Sequence, residues 1–124
     1  MALKRLANEL STIQTDQNYN YMVNPDETNF LLWNFIIIGP VDTYYEGGIF
    51  KGQIHFTNKY PLEPPTVYFD KIIHPNVYKN GAVCISILHS GVDNYGYEQT
   101  TERWTPLHSV DSIMLSIILR SDTI

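Results

Sequence analysis

The 124-residue chain holds a single cysteine, Cys84, so no internal disulfide can form. That fits a reducing compartment without requiring one. Basic charge is also scarce: eight Lys and Arg stand against thirteen Asp and Glu, a formal net charge of −5. Such a balance argues against general binding to nucleic acid or to acidic membranes, because counterion release needs clustered cations. The local exception is Lys4-Arg5, where a partner with an acidic patch could dock. Long apolar runs are missing too. The strongest stretch, Phe30 to Ile38, is interrupted by Asn34 and is far too short to span a bilayer. Leu3-Lys4-Arg5-Leu6 opens an amphipathic segment, not a secretory leader. No pair or quartet at C-x-x-C or H-x-x-x-H spacing exists among the four His and one Cys, so no metal is expected. The sequence reads as that of a soluble, intracellular protein without a cofactor.

What is present suits a globular domain. The hydrophobic share is 44% and the charged share 17%, and the length is that of one domain with a core of its own, assigned to residues 1–124. Leu3, Leu6, Ala7, Leu10 and Ile13 recur at helical spacing, with Lys4, Arg5, Asn8 and Glu9 on the other side. This predicts an amphipathic helix of about four turns. Residues 15–29 are turn-rich, with room for one short strand near Tyr21 to Val23. Phe30 to Ile38, ended by Gly39-Pro40, and the alternating Ile49 to Phe56 predict two strands of an antiparallel meander. Tyr60 to Pro65 carries three prolines and cannot lie inside a sheet, whereas Thr66 to Phe69 can form a further strand. Helical spacing returns at Val110, Ile113, Met114, Ile117 and Ile118, with Ser109 as the N-cap.

Between these elements, residues 70–105 show little periodicity, and a long irregular segment in a compact domain is usually functional. Cys84 lies within it. A lone cysteine between Val83 and Ile85 is more often a small buried hydrophobe than a nucleophile. Its setting, after Asn76 and Asn80-Gly81, instead suits a thiol that a second protein can reach. A Cys–His hydrolase would need a histidine base, and His74, His89 and His108 are candidates by composition only. Pro75 restricts His74 to extended geometry, which favours a structural role. Asn76 can be a turn residue, or an amide donor aimed at an oxyanion.

Taken together, Tyr60-Pro61-Leu62-Glu63-Pro64-Pro65, His74-Pro75-Asn76 and Gly81-Ala82-Val83-Cys84-Ile85 resemble the signature of ubiquitin-conjugating enzymes. Trp33, Gly39-Pro40 and Trp104-Thr105-Pro106 stand in matching order. The chain is most similar to the G-type members: Cys84 to His89, followed by the run through Tyr95-Gly96-Tyr97-Glu98 to Glu102-Arg103-Trp104, looks like their loop insertion after the cysteine. The resemblance implies an α+β fold: an N-terminal helix, a four-stranded antiparallel meander and a helix packed behind it. It implies Cys84 as the thioester-forming nucleophile and Asn76 as oxyanion donor and loop-stabilising amide, with His74 and Pro75 as structural parts of the motif. Lys4 and Arg5 match the face that docks an activating enzyme, and Leu62, Pro106 and Leu107 match two loops that dock a ligase, expected to be of RING type.

The implied partners are ubiquitin, its activating enzyme, a ligase and a protein substrate, in the cytoplasm, with the nucleus or the cytosolic face of the endoplasmic reticulum reached through partners. Asp93, Glu98 and Glu102 are the acids available to help an attacking amine shed its proton, or else belong to a solvated loop. Two positions depart from the wider family. Ser86 stands where many members carry an acid, although G-type members share it. The usual Asp/Glu-Pro-Asn continuation is replaced by Leu119-Arg120-Ser121-Asp122-Thr123-Ile124, so the C-terminal helices are expected to be missing and the gating acid falls near Thr123 or Asp122. A non-catalytic adaptor of the same fold is the alternative function.

Overall fold

The computed structural model describes residues 2–16, 20–39, 46–70 and 103–120. Its elements run α1 (Ala2–Thr15), β1 (Tyr21–Pro25), β2 (Leu32–Ile38), β3 (Ile49–His55), β4 (Thr66–Phe69) and α2 (Val110–Arg120). The strands pair antiparallel in sequence order, β1-β2-β3-β4, as the meander expected from the sequence.

Each strand alternates, because successive side chains point to opposite faces. Tyr21, Trp33, Phe35, Ile37, Ile54, Val67 and Phe69 face inward and are buried, while Asn34, Lys51 and His55 face out. Pro25, which the sequence left outside any strand, closes β1 opposite Trp33. An edge strand tolerates the missing amide. Phe30 and Leu31 precede β2, where the Asn29 side chain accepts from the Leu31 amide at 3.0 Å and turns the chain. Phe56 follows β3 but stays buried, its amide tied to the Leu31 carbonyl at 2.8 Å. In the β1–β2 turn, the Asp26 carboxylate accepts from the Thr28 hydroxyl (2.7 Å) and amide (3.0 Å). These bonds, the hydroxyl's first, hold the Asp26 carboxyl below its usual range.

Gly52 occupies the inner face of β3 between Phe35 on β2 and Phe69 on β4. Having no side chain, it lets those two rings meet edge-to-face at 5.3 Å.

Both helices close one core with the inner face of the sheet: Ala2 and Leu6 from α1 and Val110, Ile113 and Met114 from α2 are buried in it. Leu10, Ile13, Ile117 and Ile118 pack against it. The buried face of α1 is not quite the stripe expected from spacing. Leu3 is 56% exposed and Ala7 is exposed, whereas Arg5 and Glu9, placed on the solvent side by the sequence, are half-buried. The reason is what lies opposite them, namely the chain entering α2.

That entry is capped as expected. The Ser109 hydroxyl accepts from the Ser112 amide (3.2 Å) and the Ser112 hydroxyl accepts from the Ser109 amide (2.8 Å), a reciprocal box with serine at both ends. The Tyr21 hydroxyl donates to Asp111 and ties α2 to β1. No helix among the described residues is long and apolar enough to cross a membrane.

Candidate functional site

Two loops converge beside the N-terminus of α1. One, residues 56–65, joins β3 to β4 and is held in tight turns by bonds from the Tyr60 amide to the Thr57 carbonyl (3.1 Å) and from the Leu62 amide to the Lys59 carbonyl (2.7 Å). The Tyr60-Pro61 peptide is cis. The other, residues 103–109, leads into α2 and turns through the His108 amide bond to the Thr105 carbonyl at 3.0 Å. Each loop lifts an apolar side chain into solvent: Leu62 is 71% exposed and Leu107 is 94% exposed. Pro106, beside Leu107, is exposed as well.

The bases of these loops are anything but loose. Trp104 is buried and donates its indole N–H to the Pro61 carbonyl at 2.8 Å, joining one loop to the other. An aromatic series carries this brace back into the sheet: Trp33 on Phe56 at 5.3 Å, Phe56 on Tyr60 at 4.8 Å and Tyr60 on Trp104 at 5.8 Å. His108 lies over Trp104 at 5.6 Å, and its Nε2 is 3.0 Å from the Arg103 carbonyl. A carbonyl only accepts, so Nε2 carries the hydrogen. His108, a candidate base by composition, is thereby a brace of the 103–109 loop.

Behind the loops stands a polar cluster that spacing did not reveal. One oxygen of Glu9 accepts from Arg5 Nε and from the Tyr60 hydroxyl, each at 2.7 Å, and the other accepts from the Val110 amide at 2.7 Å. The last bond satisfies an orphan donor at the first turn of α2 and places an anion at that helix's positive end. Arg5 reaches on to the carbonyls of Pro106 (2.9 Å) and His108 (2.8 Å). Burial of Tyr60, then its bond to Glu9, pushes its phenol far above the usual range, so it stays a donor. An i, i+4 pair of opposite charge is common on solvated helix faces, so Arg5 and Glu9 carried no signal of burial.

Lys4 is exposed and, among the described residues, makes no hydrogen bond or ion pair. It is therefore open to a partner, whereas Arg5 is already engaged. Cys84, Asn76, His74, Pro75, Asp93, Glu98 and Glu102 lie outside the described residues. The chain on either side of their segment is fixed. Asp70 is tied through its amide to the Lys51 carbonyl on β3 at 2.9 Å, and Trp104 follows Arg103 into the loop brace.

A meander of four strands closed by two helices, with paired loops displaying single leucines, defines the kind of protein. The profile of the ubiquitin-conjugating enzyme family matches residues 5–120, and the chain belongs to that family. It is 43% identical over 120 residues to human ubiquitin-conjugating enzyme E2 G2, covering 94% of this chain and 73% of that one. It is 56% identical over 95 residues to ubiquitin-conjugating enzyme E2 14 of Arabidopsis thaliana, covering 75% of this chain and 57% of the relative. The solved structure of human ubiquitin-conjugating enzyme E2 G1 superposes with a TM-score of 0.82 at 41% identity, covering 94% of this chain and 90% of that one. The likeness to G-type members read from the sequence is thus supported over most of the chain, while the inserted loop itself falls outside the described residues. The chain spans little more than half the length of the plant relatives it matches.

Proposed function

We propose that residues 1–124 form a single catalytic core that carries ubiquitin as a thioester on Cys84 and passes it to a lysine with the help of a ligase. Membership of the ubiquitin-conjugating family is the observation that carries this reading. In the first step the Cys84 thiolate attacks the carbonyl of the activating enzyme's ubiquitin thioester, and the activating enzyme's thiolate leaves. In the second, a lysine amine attacks the Cys84 thioester, loses a proton and expels the Cys84 thiolate.

Asn76 donates to the tetrahedral oxyanion, a contribution of about 3 kcal/mol for a well-placed donor. A free lysine has a pKa near 10.4, so its attack near neutral pH needs help, for which Asp93, Glu98 and Glu102 are the available acids. Lys4, with Arg5 beside it, receives the activating enzyme. Leu62, Pro106 and Leu107 receive a RING-type ligase: two exposed leucines on braced loops suit a small docking site with preformed anchors. The compartment is the cytoplasm, with the nucleus and the cytosolic face of the endoplasmic reticulum reached through partners.

Incubation with activating enzyme, ubiquitin and ATP, resolved on reducing and non-reducing gels, tests the reading. The native protein should give an adduct that thiol removes. Cys84→Ser, a nearly isosteric change, should give one that thiol leaves intact. A thiol-sensitive adduct persisting in Cys84→Ser would refute the assignment, and no adduct with native protein would leave the adaptor function.

A further inference from the structure

Neither Leu62 nor Leu107 is held by its own side chain, since both stand in solvent. Their places are set from behind. The carbonyls of Pro106 and His108, which flank Leu107, both accept from Arg5. Arg5 is in turn oriented by its Nε bond to Glu9. The loop of Leu62 is anchored at Tyr60, whose hydroxyl donates to the same carboxylate. The third donor to that carboxylate is the Val110 amide, where the Leu107 loop ends and α2 begins. One side chain, only 10% exposed, therefore collects a donor from α1, a donor from the Leu62 loop and a donor from the end of the Leu107 loop. A carboxylate so enclosed is costly unless it is well supplied with donors, and here three separate parts of the chain supply one each.

We infer that Glu9 is a positioning residue for the ligase-docking pair: it fixes the separation of Leu62 and Leu107, and so sets the affinity for a ligase without touching one. The inference rests on the reading of Leu62, Pro106 and Leu107 as the ligase dock. Arg5 extends the same device, because its planar fork reaches two carbonyls and a carboxylate at once, which a lysine cannot copy. A rigid pair of anchors binds without first having to be ordered.

The test titrates the isolated RING domain of a ligase, chosen because it stimulates discharge of lysine-reactive thioester from this protein. In Glu9→Gln the half-saturating concentration should rise about tenfold, the equivalent of ~1.4 kcal/mol. Loading of Cys84 and the discharge rate at saturating RING domain should stay at the native values. Tyr60→Phe, which removes one of the three donors and keeps the ring, should shift half-saturation in the same direction by about threefold, ~0.65 kcal/mol. Arg5→Lys, which keeps the charge, should also weaken RING binding. Ile37→Val supplies a core variant of lowered stability, and its half-saturation should match the native protein's.

A Glu9→Gln value equal to native, or no greater than that of an equally destabilised Ile37→Val, overturns the inference. Leu107→Ala separates the two levels. If it weakens RING binding while Glu9→Gln does not, the positioning role fails alone. If Leu107→Ala has no effect, the docking surface fails and the inference falls with it.

Discussion

Gly52→Ala should unsettle the protein more than any other single added methyl on the sheet. A Cβ built at Gly52 would lie 2.1 Å from the Tyr68 carbonyl oxygen and 2.4 Å from the nearest carbon of the Phe35 ring. The Phe35 ring could swing aside, but only by abandoning its edge-to-face contact with Phe69, worth about 0.5–1.5 kcal/mol beyond burial. The Tyr68 oxygen is backbone and can retreat only if β4 moves away from β3. Overpacking of a dense core typically costs 1–3 kcal/mol, and a clash with backbone belongs at or above the upper end, so about 3 kcal/mol is expected.

For a domain of this size that corresponds to a fall in melting temperature of about 10 °C. Strand β4 leads through Asp70 into the segment that carries Asn76 and Cys84, so Gly52→Ala should also slow loading of Cys84 under conditions where it remains folded. Urea unfolding followed by fluorescence, with thermal melts alongside, measures the effect. A loss below about 1 kcal/mol with an unchanged urea dependence would show that β3 and β4 can part freely, and would refute the reasoning.

Three further outcomes are expected. Replacing Leu62 and Leu107 together by Ala should leave Cys84 charging intact while weakening ligase-stimulated transfer by about 1–3 kcal/mol; equal loss of both activities would mean that these residues support the fold. Tyr60 has a folded-state pKa raised above its unfolded value of 10, so the stability it contributes is whole below pH 10 and drains away as pH rises toward the folded value. The stability advantage of native protein over Tyr60→Phe should therefore hold at pH 8 and shrink by up to ~1.4 kcal/mol per unit above pH 10 in urea titrations; a constant difference would contradict this. Asp93→Asn with Glu98→Gln should slow single-turnover discharge to free lysine, with charging normal and the deficit narrowing as pH rises, because only the amine step must shed a proton. A deficit that is the same at every pH would return both acids to the loop surface.

Much of this architecture could be read from local chemistry. Thr66 to Phe69 is a strand as expected, and the three prolines of 60–65 keep that stretch out of the sheet. Ser109 caps α2 because a short hydroxyl before a helical stripe meets the first free amides wherever the helix lies. Inward and outward alternation along β3 follows from a two-residue period that no tertiary contact can alter. The likeness in the Tyr60–Pro65, His74–Asn76 and Gly81–Ile85 motifs pointed to the family that residues 5–120 then matched.

Other features had no local signature. Helical spacing permits several adjacent stripes on α1, and the choice that half-buries Arg5 and Glu9 but exposes Leu3 and Ala7 depends on residues about a hundred positions away. Nothing near Gly52 in the chain marks its role, which appears only when β2 brings the Phe35 ring and β4 the Tyr68 carbonyl against it. His108 could have been a base until Trp104 and the Arg103 carbonyl claimed it. Caps, turns and alternation are settled within a few residues of backbone, and so are written in the sequence. Which polar groups become partners is settled by long-range closure, when buried charges and carbonyls must find donors among whatever segments the fold brings within about 3 Å.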